Sequence, residues 1–401
     1  MSPLQPHAHA LTATDLPAPS PDALAHSQRL VAAITHEIGK ADGWISFARY
    51  MELALYAPGL GYYSAGSAKF GPEGDFVTAP EISHLFGASL ASQLADLLSP
   101  ELPDLLELGA GSGKLARDLL TEFDRLGKLP ERYLILETSA ELRERQRQCT
   151  GGLAPELAAR VHWLDTLPEK FRGVALGNEV LDALPVHIVE WRNTAILERG
   201  VAVGGAGELV WQEQPATGAL REAALAMAID DLPPGAAYVS EINLAAPALV
   251  ATIAGRLEQG VILFIDYGFP RREYYHPQRG KGTLMCHYRH RAHAEPFYLP
   301  GLQDITAHVD FSSINEAAVG AGLRCLGYAT QAQFLINCGI TDLMLRVPPG
   351  DAARYLPLAA AAQKLLSPSE MGELFKVIAF GRGIDIPLKG FANGDMRARL
   401  G

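Results

Sequence analysis

Apolar positions recur at helical spacing in LVAAITHEIG (30–39), ISFARYMELALY (45–56) and ISHLFGASLASQLADLL (82–98), which predicts three helices. Between the last two, Pro58, Gly59 and Gly61 break the pattern, and a long loop rich in glycine and aromatics follows. From residue 104 short apolar runs alternate with amphipathic stretches, the pattern of βαβ units around a parallel sheet. DLLEL, YLILE, VHWL and GVALGNE read as its first four strands. LARDLLTEFDRL places Leu115, Leu119, Leu120, Phe123 and Leu126 on one helical face. GVILFIDYG (260–268) is almost continuously apolar, as a strand buried on both faces requires. VHIVEWR, AILERGVAV and ELVWQEQ alternate between Gly-rich turns and predict a hairpin insertion. The C-terminal third reads as helix 313–321, strands near 323–330 and 374–381, and helical segments between them.

These elements divide the chain into expected segments. They are a disordered tail (1–27), a helical N-terminal segment with a covering loop (28–100), and a first core part (101–191). A β-rich insertion (192–235), a second core part (236–272), a cleft loop (273–317) and a C-terminal core part (318–401) follow. With 48% hydrophobic and 20% charged residues, the composition is that of a globular chain with a sizeable core. No apolar stretch approaches the roughly 20 residues that cross a bilayer, so membrane insertion is not expected. Residues 1–27 contain no Lys or Arg, which argues against a signal or transit peptide. Four scattered cysteines without a CxxC pair suggest free thiols, and a cytoplasmic protein is the expectation. A net charge of −11 disfavours nucleic acid and suits a cationic or protein substrate.

Chemistry concentrates at strand ends. In ELGAGSG, Gly109, Gly111 and Gly113 stand between a strand and a helix, where open α/β folds bind nucleotides. The dinucleotide fingerprint fails because Lys114 occupies the place of its third glycine, which disfavours a nicotinamide-dependent oxidoreductase. The Walker A pattern fails at Leu108 and Leu115. The G-x-G-x-G spacing preceded by Glu107 resembles motif I of class I methyltransferases, with the Glu107 carboxylate toward the methionine end of S-adenosylmethionine. Glu137, at the end of the second strand, is placed to accept both ribose hydroxyl protons, and Asp165 to receive the adenine amino group. The next two strand ends carry Asn178, Glu179 and Asp182, and then Asp266. Glu179, Asp182 and Asp266 are the catalytic candidates, because paired carboxylates can grip a guanidinium and accept its departing proton. Asp182 as a helix cap and Asp266 as a turn holder are the plainer alternatives. His287, His290 and His293 share a spacing of three, but no H-E-x-x-H or Cys companion exists, so no metal is expected.

GDFVTAPEIS (74–83), LELGAGSG, GNEVLDALPVH (177–187), FIDYG, GTLMCHYRH (282–290) and DITAHVDFS (304–312) together resemble the MidA family. That family includes the mitochondrial complex I assembly arginine methyltransferase and bacterial relatives. The resemblance implies a class I S-adenosylmethionine-dependent methyltransferase: a Rossmann-like α/β sheet with a helical N-terminal segment and a β-rich insertion. It implies a protein arginine as acceptor, on a complex I core subunit or another protein. It places Thr78, Pro80, Glu81 and Ser83 over the cofactor, with Asn178 beside it. A non-catalytic assembly factor and a small-molecule methyltransferase are the alternatives, and the oligomeric state is left open, a homodimer included.

Overall fold

DLLEL is buried along its whole length, and the computed structural model sets it at the middle of a sheet. The structure describes residues 16–64, 78–192, 195–227, 229 and 236–401. Seven strands form the main sheet: β1 Asp104–Leu108, β2 Arg132–Leu136, β3 Val161–Leu164, β4 Phe171–Asn178, β5 Leu257–Phe269, β6 Arg324–Thr330 and β7 Phe375–Arg382. Their order is β6-β7-β5-β4-β1-β2-β3, and a short strand Val309–Asp310 joins the end of β5 in parallel. The five strands from β5 to β3 run parallel, whereas β7 is antiparallel to both β5 and β6. The chain winds outward from β1 through β2 to β3, then returns to β4 on the other side of β1. The carboxyl ends of β1 and β4 therefore flank the point where strand order reverses, and ligands of open α/β sheets bind there.

The chain divides into two compact units. The sheet belongs to the unit formed by Val77–Asp182, Ala246–Tyr274 and Val309–Gly401. Its core is the apolar face of helix Lys114–Leu126 (Leu115, Leu119, Leu120 and Phe123), packed with sheet residues such as Leu105 and Val174. Leu126, expected on that face, is 37% exposed, because it is the last helical residue before the left-handed Gly127 cap.

The other unit comprises Met1–Phe76, Ala183–Ala245 and Tyr275–His308. Helix Pro21–Lys40 starts earlier than expected, so residues 21–27 are helical rather than tail. Ser20 caps it by accepting from the Ala23 N–H, and Pro21 is tolerated in the first turn, where its missing donor has no helical partner. The predicted helix 45–56 begins instead as strand Trp44–Ser46, which pairs with Gly200–Ala202 before the helix Phe47–Tyr56. The expected insertion is a five-stranded antiparallel sheet that also takes in Ala237–Ile242. The segment read as a cleft loop contains a three-stranded sheet of Met285–Tyr288, Arg291–His293 and Asp304–Thr306. His287 pairs with Ala292 and His293 with Cys286, on opposite faces of the ribbon, while His290 lies in the turn.

Candidate functional site

The chain leaves β1 through three glycines in the left-handed region, with φ of +60° at Gly109, +53° at Gly111 and +83° at Gly113. A Cβ on Gly113 would lie 3.0 Å from the Gln146 Cα, and one on Gly109 would lie 3.2 Å from Val180 Cγ2. Backbone conformation and space thus both demand glycine there, and the turn exposes main-chain atoms to a ligand. Ser112 within the turn donates its hydroxyl to the Glu81 carboxylate and accepts from the Lys114 N–H at 3.3 Å. Glu81 belongs to the short helix Ala79–Ile82, opened by Thr78 and Pro80 and followed by Ser83. Ser83 caps the next helix by accepting from the Leu85 N–H. The structure therefore brings the Thr78–Ser83 segment against the glycine turn; residues 74–77 of the same block lie outside the described residues.

Three acids stand at the carboxyl ends of β1, β2 and β3. Glu107 is 2% exposed and accepts from the Tyr133 hydroxyl at 2.7 Å. Burial pushes its carboxyl up to about 7, against the lowering effect of the tyrosine. Glu137 is also buried, which raises its pKa, while the Ser139 N–H at 2.9 Å and the Gln146 amide at 3.1 Å favour its charged form. The Thr138 backbone N–H favours the charged form as well. Asp165 differs: its side chain is 87% exposed and is ion-paired with Arg143 at 2.7 Å. Arg143 also donates to the carbonyls of Glu137 and Leu164. Asp165 is thus anchored at the sheet edge rather than gathered in with the buried acids.

Sequence reasoning missed Gln146. It lies on helix Ala140–Thr150, whose buried residues Leu142, Gln146 and Thr150 form an i, i+4, i+8 stripe. That spacing from Leu142 was the available signal.

At the end of β4, Glu179 adopts φ +54°, a left-handed conformation in a residue other than glycine. Such strain concentrates at functional sites. The Glu179 carboxylate accepts from the Ala79 N–H at 3.3 Å and the Asn178 amide at 3.2 Å. Asn178 Oδ1 is buried and has no protein donor among the described residues. An acceptor held this way, beside a glycine cradle, fits a ligand that brings its own N–H or O–H donor.

Asp266 takes a role the sequence reading weighed as its plainer alternative. It is 1% exposed, and Oδ2 accepts from the N–H groups of Val180, Leu181 and Asp182 at 3.1, 2.8 and 3.3 Å. Its Oδ1 accepts from the Tyr267 N–H at 2.9 Å. Asp266 therefore fixes the turn that follows Glu179. Burial and the neighbouring Asp182 and Glu179 charges raise its pKa well above the usual range, and the amides of Leu181 and Tyr267 oppose that shift. Asp182, 5% exposed, lies in the same acidic cluster.

Comparison with known proteins identifies the ligand class. The family described as "Putative S-adenosyl-L-methionine-dependent methyltransferase" matches residues 85–329. A Burkholderia thailandensis protein solved with S-adenosyl-homocysteine is 54% identical, covering 96% of this chain and 99% of that one at a TM-score of 0.92. The mitochondrial protein arginine methyltransferase NDUFAF7 of Danio rerio is 30% identical, covering 84% of this chain and 83% of the relative. Its Mus musculus counterpart is 29% identical over 85% and 81%. Both relatives are named as mitochondrial, which overturns the expectation of a cytoplasmic protein. Among the described residues no helix is long and apolar enough to cross a membrane. The strand order, the glycine cradle and these matches converge, and the chain belongs to the MidA family of class I S-adenosylmethionine-dependent methyltransferases.

Proposed function

We propose that this methyltransferase modifies an arginine side chain of a protein, with Glu179 and Asp182 receiving the guanidinium. The observation that supports the reading most is the strained Glu179, held at φ +54° beside two further acids at the strand-order reversal. S-adenosylmethionine supplies an electrophilic methyl group on a sulfonium. In this reading Gly109, Gly111, Gly113, Glu107, Glu137 and Asn178 hold it, and Thr78, Pro80, Glu81 and Ser83 cover it. Asp165 contributes at the rim through its pair with Arg143.

A guanidinium is protonated at any physiological pH, so its nitrogen lone pair is tied up in the delocalised cation. Two carboxylates that bind it from one side orient a single nitrogen and take the proton it must release. Glu179 is suited to the gripping role, since the Ala79 and Asn178 donors both hold Oε1. Asp182, buried next to a carboxyl of raised pKa, is suited to accept the proton. Asp266 serves as a positioning residue through the four amides it gathers. The acceptor is a respiratory complex I core subunit, as the family resemblance implies, or another protein.

The test is incubation of the enzyme with methyl-labelled S-adenosylmethionine and a cell extract, followed by mass spectrometric location of the label. Label on protein arginine is the expected outcome. Label confined to small molecules, or to other side chains, would remove the arginine reading while leaving the methyltransferase intact.

A further inference from the structure

We propose that Gln146 is the positioning residue of the cofactor site, a single side chain that orders three strand ends at once. The inference rests on Glu137 as the ribose acceptor. Gln146 is fully buried. Its Nε2 donates to the Gly111 carbonyl at 3.1 Å and to Glu137 Oε2 at 3.1 Å, and its Oε1 accepts from the Trp163 indole N–H at 2.9 Å. The glycine turn follows β1, Glu137 follows β2, and Trp163 lies on β3. The carboxyl ends of three successive parallel strands are therefore joined by one amide from the helix that packs below them.

The chemistry restricts what can stand there. The indole only donates, so it fixes the amide oxygen on the Trp163 side, and both amide hydrogens then face Gly111 and Glu137. A carboxylate has no hydrogen to give, and an aliphatic side chain has neither group. The donation to Oε2, with the Ser139 N–H on Oε1, orients the Glu137 carboxylate for the ribose hydroxyls. The helix is also held close to the turn, since a Cβ at Gly113 would come within 3.0 Å of the Gln146 Cα. The Arg147 guanidinium lies 5.1 Å above the Trp163 ring, which adds a second restraint on that side.

The experiment is calorimetric titration of the full-length protein with S-adenosylhomocysteine, always as a ratio to wild type at the same pH. Gln146→Leu removes all three bonds and weakens binding by about tenfold or more. Gln146→Glu gives the sharper readout. At pH 8 the introduced carboxylate faces that of Glu137 without a proton to share, and binding falls about tenfold relative to wild type. Lowering the pH to 6 favours a proton shared between the two carboxyls, which restores the bond to Glu137 but not that to the Gly111 carbonyl, so the deficit shrinks without vanishing. A Gln146→Glu deficit that is the same at both pH values, or no deficit in either variant, would overturn the inference. Glu137→Ala separates the two layers: if it binds S-adenosylhomocysteine like wild type, the ribose assignment fails. If it binds weakly while the Gln146 variants do not, only the role of Gln146 fails.

Discussion

Glu107 offers a prediction whose size follows directly from its surroundings. Its carboxyl is 2% exposed with one donor, the Tyr133 hydroxyl, and its pKa sits at about 7 instead of 4.5. A raised folded-state pKa means that the folded chain binds the proton more tightly than the unfolded one. The stabilisation is then complete below about 4.5 and is lost as pH rises through about 7. At about 1.4 kcal/mol per pKa unit, this one group costs the ligand-free protein roughly 3 kcal/mol at pH 8. The amino group of the cofactor's methionine end would offset that cost if the Glu107 carboxylate receives it, so binding should favour the ionised form. The apparent Kd for S-adenosylhomocysteine should then weaken about tenfold between pH 8 and pH 6. Glu107→Gln keeps an acceptor for Tyr133 but cannot titrate. It should bind more weakly at pH 8, by about tenfold or more, and lose most of the pH dependence. Isothermal titration of both proteins at pH 6, 7 and 8 decides the matter. A flat wild-type profile, or an equal slope in Glu107→Gln, would refute the reasoning.

Three further outcomes follow from the acids. Glu179→Gly and Glu179→Ala both lose the carboxylate's two hydrogen bonds and should abolish methyl transfer, but only the glycine relieves the left-handed strain, worth about 1 kcal/mol, so it should melt above the alanine variant; equal midpoints would count against the strain. Asp266→Ala strands four backbone donors at about 1–3 kcal/mol for each one left unsatisfied, so denaturant unfolding should show a loss of at least ~3 kcal/mol. Asp266→Asn, which keeps one acceptor oxygen, should lose less, and equal losses would contradict the amide-gathering role. Asp165→Ala should leave the affinity for S-adenosylhomocysteine within about threefold, since the exposed carboxylate is engaged by Arg143; a tenfold loss would restore the direct adenine contact read from the sequence.

The parallel core was legible because its signal is local. GVILFIDYG carries its burial in its composition, and Gly109, Gly111 and Gly113 announce a turn that only glycine tolerates. What escaped depends on partners distant in sequence. Trp44–Ser46 fits a helical spacing but becomes a strand because Gly200–Ala202 pairs with it. The ribbon of Met285–Tyr288 and Arg291–His293 turns on Arg289 and His290, both at positive φ, where the usual Asn-Gly signal is absent. The functions of the acids were separable only in three dimensions. Asp182 and Asp266 are the same residue type at adjacent strand ends, yet one carboxylate is spent on four backbone amides. Gln146 was missed because AELRERQRQCT is mostly polar and its buried stripe is only three residues long.

A crystal structure of this chain with S-adenosylhomocysteine tests the central claim most directly. The account predicts both ribose hydroxyls within about 3 Å of the Glu137 carboxylate. It also predicts the ligand's amino end against Glu107 and Asn178, and its sulfur facing Glu179 and Asp182. A ligand bound away from the Gly109–Gly113 turn, or with its sulfur turned from that acidic pair, would contradict it.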